Sequence, residues 1–156
     1  MSQLVDWEVS GIEISRPDQK YFKVIGTRVE IENREVSTWS QPMVQPSQQG
    51  LCALIGKVIN GVLHFAIQAK LECGNFDVVE FAPTVQCLTG DFRDASVHPP
   101  FLDYVLEVDK ERIWIDTLQS EEGGRFYREE NRNLVILAGD DIDEELPPYY
   151  IWLTLN

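Results

Sequence analysis

The residues best suited to chemistry lie in one stretch, 118–131, which reads LQSEEGGRFYREEN. It contains two adjacent carboxylates, two glycines, a cation and two aromatic rings, followed by two more carboxylates: Glu121, Glu122, Gly123, Gly124, Arg125, Phe126, Tyr127, Glu129 and Glu130. Carboxylates and a phenol can transfer protons, arginine can bind phosphate, and a ring can stack on a base. The glycines allow a sharp turn or the close approach of another molecule. The alternative is a solvated, charged turn.

A second group of polar residues lies on a predicted hairpin. Residues 50–59 and 62–72 are strand-like, and the Asn-Gly pair at 60–61 between them is typical of a two-residue turn. Such a turn fixes the register, so Lys57 is expected to face His64.

Side chains alternate along a strand, so this hairpin has two faces. We expect one face to belong to the core: Cys52, Leu54, Gly56, Val58, Leu63, Phe65, Ile67 and Ala69. The other face mixes polar and small residues with apolar flanks: Lys57, His64, Ala66, Gln68 and Lys70, among Leu51, Ala53, Ile55, Ile59 and Val62. We call Lys57, His64, Gln68 and Lys70 the polar stripe. It suits a ligand-facing surface, and a merely solvated face is the alternative.

The remaining segments are mostly strand-like, and helical periodicity is weak. Strands are expected at 21–31, 76–88 (broken at Pro83), 112–120, 133–138 and 149–155, with an edge strand or extended loop at 39–42. The pattern predicts a β-rich α+β fold with a mixed sheet and few helices. We expect residues 1–156 to form a single domain, with residues 1–20 peripheral.

Composition excludes several classes of function. A net charge of −13 argues against nucleic acid and against anionic membranes as partners, and no apolar run approaches membrane-spanning length. Three cysteines without C-x-x-C spacing indicate reduced thiols and a cytoplasmic protein. Metalloprotease, phosphate-loop, dinucleotide and serine-hydrolase motifs are missing from the sequence. The side chains that remain suit acid–base chemistry without a metal or cofactor.

Five strings, in this order, resemble the NDP-hexose 2,3-dehydratases of deoxysugar biosynthesis. They are WSQP at 39–42, NGVLHFAIQAKLECGN at 60–75, APTVQ at 82–86, LQSEEGGRFYREENR at 118–132 and YIWLTL at 150–155. The resemblance implies a Nudix-like module and a dTDP-4-keto-6-deoxyhexose ligand that loses water across C2 and C3 without a metal. Members of the family usually carry two tandem modules, and this chain matches one, so we expect a homodimer.

This implied reaction assigns roles to side chains. The C4 ketone acidifies the C3 proton, so a base removes that proton while an acid protonates the departing C2 hydroxyl. The expected base is Glu121 or Glu122. Only one of the two should enter the site, because neighbours in an extended segment point opposite ways. The acid or oxyanion donor is Tyr127 or His64. The expected substrate-binding residues are Arg125 and Lys70 for the diphosphate, Gln68, Thr84 and Gln86 for sugar or base edges, and Trp39 and Phe126 for stacking.

The mechanism requires the glutamates beside the glycines and the polar stripe to line one cavity, which we therefore expect. The predicted product is a 3,4-diketo-2,6-dideoxy sugar. Two alternatives stay open: a nucleotide-sugar-binding module without catalysis, and a subunit that needs a second dehydratase module.

Overall fold

A computed structural model of the chain describes residues 5–74, 76–88 and 98–156. The chain divides into two compact units, one of Met1–Gln49 with Ser120–Glu130 and one of Gly50–Gln119 with Asn131–Asn156. Strands dominate both units and helix is scarce, which confirms the predicted β-rich class. Among the described residues no helix is long and apolar enough to cross a membrane. The Nudix-like module and the single domain stay predictions.

The first unit is built on an antiparallel sheet of four strands in chain order. These are β1 (Glu8–Ser10), β2 (Glu13–Ser15), β3 (Phe22–Glu30) and β4 (Thr38–Pro46). The strand expected at 21–31 is confirmed as β3, and the edge strand expected at 39–42 is confirmed as part of β4. Residues that were expected to be peripheral form β1 and β2. Prolines 42 and 46 suit an edge because a proline has no N–H to donate.

The second unit is built on a seven-stranded mixed sheet with the central order β11-β6-β5-β10-β9. Its elements are β5 (Gly50–Ile59), β6 (Val62–Lys70), β7 (Glu80–Ala82), β8 (Val85–Leu88), α1 (Leu102–Glu107), β9 (Ile113–Ser120), β10 (Glu130–Leu137) and β11 (Tyr150–Leu153). β10 runs parallel to β5, whereas β6 and β8 pair antiparallel with β5. The strands predicted from local pattern are thus present, and the segment broken at Pro83 forms two strands with different partners.

The β5–β6 hairpin has the predicted register. Lys57 pairs with His64, and Ile59 pairs with Val62. Asn60 has φ 51° and Gly61 has φ 81°, as a two-residue turn with two left-handed positions requires.

The core, however, lies on the opposite face of the hairpin from the one we predicted. The main buried cluster joins β5 to β10 and α1 through apolar side chains: Leu51, Ala53, Ile55, Leu134, Ile136, Leu102 and Val105. The prediction was wrong because α1, which the sequence pattern did not indicate, contributes Leu102 and Val105 to this cluster. The buried pair of Ile55 and Ala66 also separates Lys57 and His64 from the rest of the polar stripe.

Thr84 occupies the point where β6 and β5 stop pairing with each other. Its side chain is fully buried, at 0% exposure. The hydroxyl donates to the Ala66 carbonyl and accepts from the Ile55 N–H at 2.9 Å. It thereby satisfies two main-chain groups that no longer have a strand partner there. We therefore assign Thr84 to the fold rather than to the ligand.

Thr84→Val keeps the shape of the side chain but leaves both main-chain groups unsatisfied. We expect the free energy of unfolding to fall by about 2–3 kcal/mol, measured by urea denaturation. Thr117→Val is the matched control, because Thr117 is exposed and should change stability by less than about 0.5 kcal/mol. Equal stabilities for the two variants would contradict the structural role of Thr84.

Candidate functional site

Residues 121–129, which we call the acidic loop, dock on the edge of β4. The Val44 N–H donates to the Arg125 carbonyl at 2.9 Å, and the Tyr127 N–H donates to the Val44 carbonyl at 2.7 Å. Val44 and Phe126 therefore form a parallel bridge. An edge strand presents unpaired main-chain groups, and the loop satisfies those of Val44.

The acidic loop is also closed upon itself. The Glu121 N–H donates to the Glu129 carbonyl at 3.0 Å, which ties the two ends of the loop together. The Glu122 carbonyl accepts from the N–H groups of Arg125 at 3.3 Å and Phe126 at 3.0 Å, as in one turn of a helix. The backbone that carries the predicted catalytic glutamates is therefore held at several points.

Gln41 connects the double glycine to β4. Its side-chain amide donates to the Gly124 carbonyl at 2.6 Å and accepts from the Trp39 indole N–H at 2.6 Å. Neither Gly123 nor Gly124 has a left-handed φ, and a Cβ on either would meet no described atom within 4 Å. Both glycines lie inside the turn that the Glu122 carbonyl closes, and neither side is filled by a described side chain. Gln41 was not among the predicted site residues.

Arg125 is the exposed cation of the loop. Its guanidinium lies 3.3 Å from the Glu122 carboxylate and 4.7 Å from the centroid of the Phe126 ring, and 68% of its side chain is exposed. Arg128 lies over the Tyr127 ring in the same way, at 5.3 Å. An exposed guanidinium stacked on a ring can still offer hydrogen bonds to a phosphate.

Among the glutamates of the acidic loop, Glu129 is the least exposed, and its pKa is raised. Burial raises the pKa of Glu129, the Glu121 charge raises it further, and Arg125 opposes these effects. Its Oε2 atom is buried and has no hydrogen-bond partner among the described residues. Sequence reasoning noted Glu129 but gave it no role, since its burial is a tertiary effect.

The other predicted site residues belong to the second unit. His64 Nδ1 lies 2.9 Å from the Val62 carbonyl of its own hairpin. Lys70 donates to the Gln86 side-chain oxygen at 3.2 Å and pairs with Glu72 at 3.2 Å, so the structure brings Lys70 and Gln86 together. Gln68 is partly buried on β6.

Lys57, the remaining residue of the polar stripe, donates to the Ile142 carbonyl and thus holds a neighbouring loop. The single cavity expected for both groups stays a prediction.

Comparison with known proteins gives a family and similar proteins that are all described as 2,3-dehydratases. The model of a family described as NDP-hexose 2,3-dehydratase matches residues 1–156. A dTDP-4-dehydro-6-deoxy-alpha-D-glucopyranose 2,3-dehydratase from Streptomyces violaceoruber is 48% identical over 144 residues, which cover 92% of this chain and 32% of the relative.

Proteins of the same description from Saccharopolyspora spinosa and Amycolatopsis orientalis are similar to this chain as well. The first is 41% identical over 100% of this chain and 32% of its own length, and the second is 40% identical over 99% and 33%. The chain thus spans about a third of the length of each of these relatives.

The raised pKa of Glu129 predicts how the free energy of unfolding depends on pH. The folded protein keeps a proton on Glu129 at pH values where the unfolded chain, with an ordinary glutamate pKa of about 4.3, has released it. This group's contribution to the free energy of unfolding therefore falls as the pH rises above that value. In Glu129→Gln the decline should be smaller, so the variant gains stability relative to the native protein between pH 4 and pH 8.

Urea denaturation at several pH values measures this effect. Glu130→Gln, which neutralises an exposed neighbour, is the control and should follow the native pH dependence. A parallel pH dependence for Glu129→Gln and the native protein would show that Glu129 titrates as an ordinary surface group.

Proposed function

The chain belongs to the NDP-hexose 2,3-dehydratase family, and we propose that it dehydrates a dTDP-4-keto-6-deoxyhexose across C2 and C3 to a 3,4-diketo-2,6-dideoxy sugar. The observation that carries this proposal is the docked acidic loop. It presents two adjacent glutamates, an exposed arginine and a tyrosine on a backbone fixed to β4.

The reaction needs a base, an acid and a group that stabilises the enolate. Glu121 or Glu122 removes the C3 proton, and the electrons move onto the C4 oxygen as an enolate. The C2–O bond then breaks, and Tyr127 or His64 protonates the leaving hydroxyl to give water. The resulting enol gains a proton at C2 and loses the proton of its C3 hydroxyl, so it becomes a ketone at C3. One proton is removed and one is returned to the leaving group, so this sequence needs no metal and no redox cofactor.

Substrate binding is assigned to cations, amides and rings. Arg125 holds the diphosphate because its guanidinium is exposed and can donate paired hydrogen bonds. Lys70 adds a second positive charge, Gln68 and Gln86 contact sugar or base edges, and Trp39 or Phe126 stacks on the nucleobase.

We also propose that a second module, supplied by another copy of the chain, completes the working protein. This proposal follows the resemblance of the chain to one module of a family whose members usually carry two. The reaction is placed in the cytoplasm because the cysteine spacing favours reduced thiols.

A nucleotide-sugar-binding module without catalysis is the second candidate function, because the exposed Arg125 would serve binding equally well.

The first test is turnover. Purified protein is incubated with dTDP-4-keto-6-deoxyglucose and a 3-ketoreductase, and the 2-deoxy product is measured. We expect the native protein to form product and the double variant Glu121→Gln/Glu122→Gln to lose at least about 100-fold in rate while still binding dTDP.

The control for this test is Glu107→Gln/Glu111→Gln, which makes the same change in charge at exposed positions elsewhere and should keep full turnover. Binding of the sugar nucleotide by the native protein without product would favour the binding module. No binding of any dTDP species would contradict both candidates.

The second test concerns the phosphate contact. Arg125→Ala should weaken dTDP binding by about 10- to 100-fold, because a charge-assisted hydrogen bond contributes about 1.5–3 kcal/mol. Isothermal titration calorimetry measures the change. Arg28→Ala, which removes another exposed arginine of the same unit, is the control and should bind dTDP normally. Unchanged affinity in Arg125→Ala would remove Arg125 from the site.

A further inference from the structure

We propose that a second copy of this chain pairs with the open edge of β9, so that two seven-stranded sheets join through antiparallel β9 strands. This inference names the surface for the second copy proposed above, and its link to turnover rests on that proposed function. The dimer itself is a property of the ligand-free protein, so its formation is tested without substrate.

Among the described strands, β9 is the long sheet edge that has no protection. The strands β11, β7 and β8, each of which has one partner strand, contain three or four residues. In the first unit β1 has three residues, whereas β4 contains two prolines and carries the acidic loop. Short length, proline and a covering segment are the usual ways of protecting an edge. β9 has eight residues and contains no proline, glycine or lysine.

The outer side of β9 has main-chain groups that a further strand can pair. β9 lies at the end of its sheet, with β10 as its neighbour. No main-chain hydrogen bond joins residues 114–120 to a described residue outside β10. Every second residue of such an edge therefore presents an N–H and a carbonyl outward. The partner that fits this edge is another β-strand.

The side chains of β9 add apolar surface on both faces of the sheet. Trp114 and Leu118, on one face, are 56% and 53% exposed, and Ile115, on the other face, is 51% exposed. Asp116 is the charged residue of this strand, and the Arg132 guanidinium neutralises it through two hydrogen bonds of 2.8 and 2.6 Å. The edge is therefore apolar and without net charge, on a chain whose net charge is −13.

Charge indicates that the partner strand is β9 of a second copy. Two chains of net charge −13 repel each other across most of their surfaces, but two β9 strands meet with their acids already neutralised. A basic strand of another protein would find no unpaired acid on β9 to bind. Because each copy has one such edge among its described strands, the pair satisfies both edges and closes as a two-fold dimer.

The sequence of β9 selects the register of this pair. In a two-fold antiparallel pair, one residue faces its own copy. If that residue were Asp116, two carboxylates would lie opposite each other, which is unfavourable. A centre at Thr117 gives the longest overlap that avoids this contact, residues 114–120, and places Asp116 opposite Leu118 of the partner subunit. Thr117 then faces Thr117 of the partner subunit, and threonine pairs are favourable in antiparallel sheets.

The first test is the mass of the protein in solution. Sedimentation equilibrium over about 1–300 µM should show a reversible monomer–dimer equilibrium without larger species. Thr117→Asp and Thr117→Lys should each raise the dimer dissociation constant at least about tenfold, because each places two like charges at the centre of the pair. An equimolar mixture of the two variants should restore the dimer, since the facing charges are then opposite.

The matched controls are Thr154→Asp and Thr154→Lys, which make the same changes at an exposed position after β11 and should dimerise like the native protein. Thermal unfolding of each variant checks that the monomers are folded. A native protein that stays monomeric over the whole range would overturn the proposal, as would a dimer that Thr117→Asp leaves intact. Larger assemblies would contradict a closed pair, and a mixture that stays monomeric would overturn the register.

Turnover separates this inference from the proposed function. If the second copy completes the working protein, Thr117→Asp and Thr117→Lys should lose turnover together with the dimer, and their mixture should regain both. A native dimer without product would contradict the proposed dehydration and leave the β9 pair standing. Full turnover by monomeric Thr117→Asp would leave the dehydration standing and remove the second copy from it.

Discussion

The unpaired edge of β4 is the constraint on which this account depends. The stretch that follows β9 contains two glycines and several like charges, and such a stretch would by itself be a mobile turn. The main-chain groups of Val44 give it a fixed place through two hydrogen bonds, each of which contributes about 1 kcal/mol. The Gln41 amide adds a third contact at Gly124. The proposed acid–base reaction needs carboxylates held in one geometry, and the edge strand holds the backbone that carries them.

Charge opposes the binding of the proposed ligand at this loop. The chain carries a net charge of −13, and the proposed ligand is a diphosphate, so long-range electrostatics oppose their association. Glu121, Glu122 and Glu129 all lie within the loop that carries Arg125. Burial and the charge of Glu121 raise the pKa of Glu129, so this carboxyl ionises less readily beside Arg125 than an isolated glutamate would.

Local signals in the sequence predicted much of the fold. The Asn-Gly pair sets the hairpin register, and the prolines place β4 at an edge and divide β7 from β8. The face of the hairpin that carries the core was not predictable in this way, because α1 is too short to show a helical period. Thr84 was taken for a ligand contact because a polar residue on a strand gives no sign of burial. The docking of the acidic loop is made largely by main-chain groups, which side-chain patterns do not encode, and the burial of Glu129 likewise depends on tertiary structure.

The most direct test of the docked loop is amide hydrogen exchange in the native protein, read residue by residue by NMR. We predict that the N–H groups of Val44 and Tyr127 exchange much more slowly than those of Gly123 and Gly124, for which the described residues provide no acceptor. Equal, fast exchange at all four amides would show that the loop is not held on β4 and would contradict a preorganised set of carboxylates.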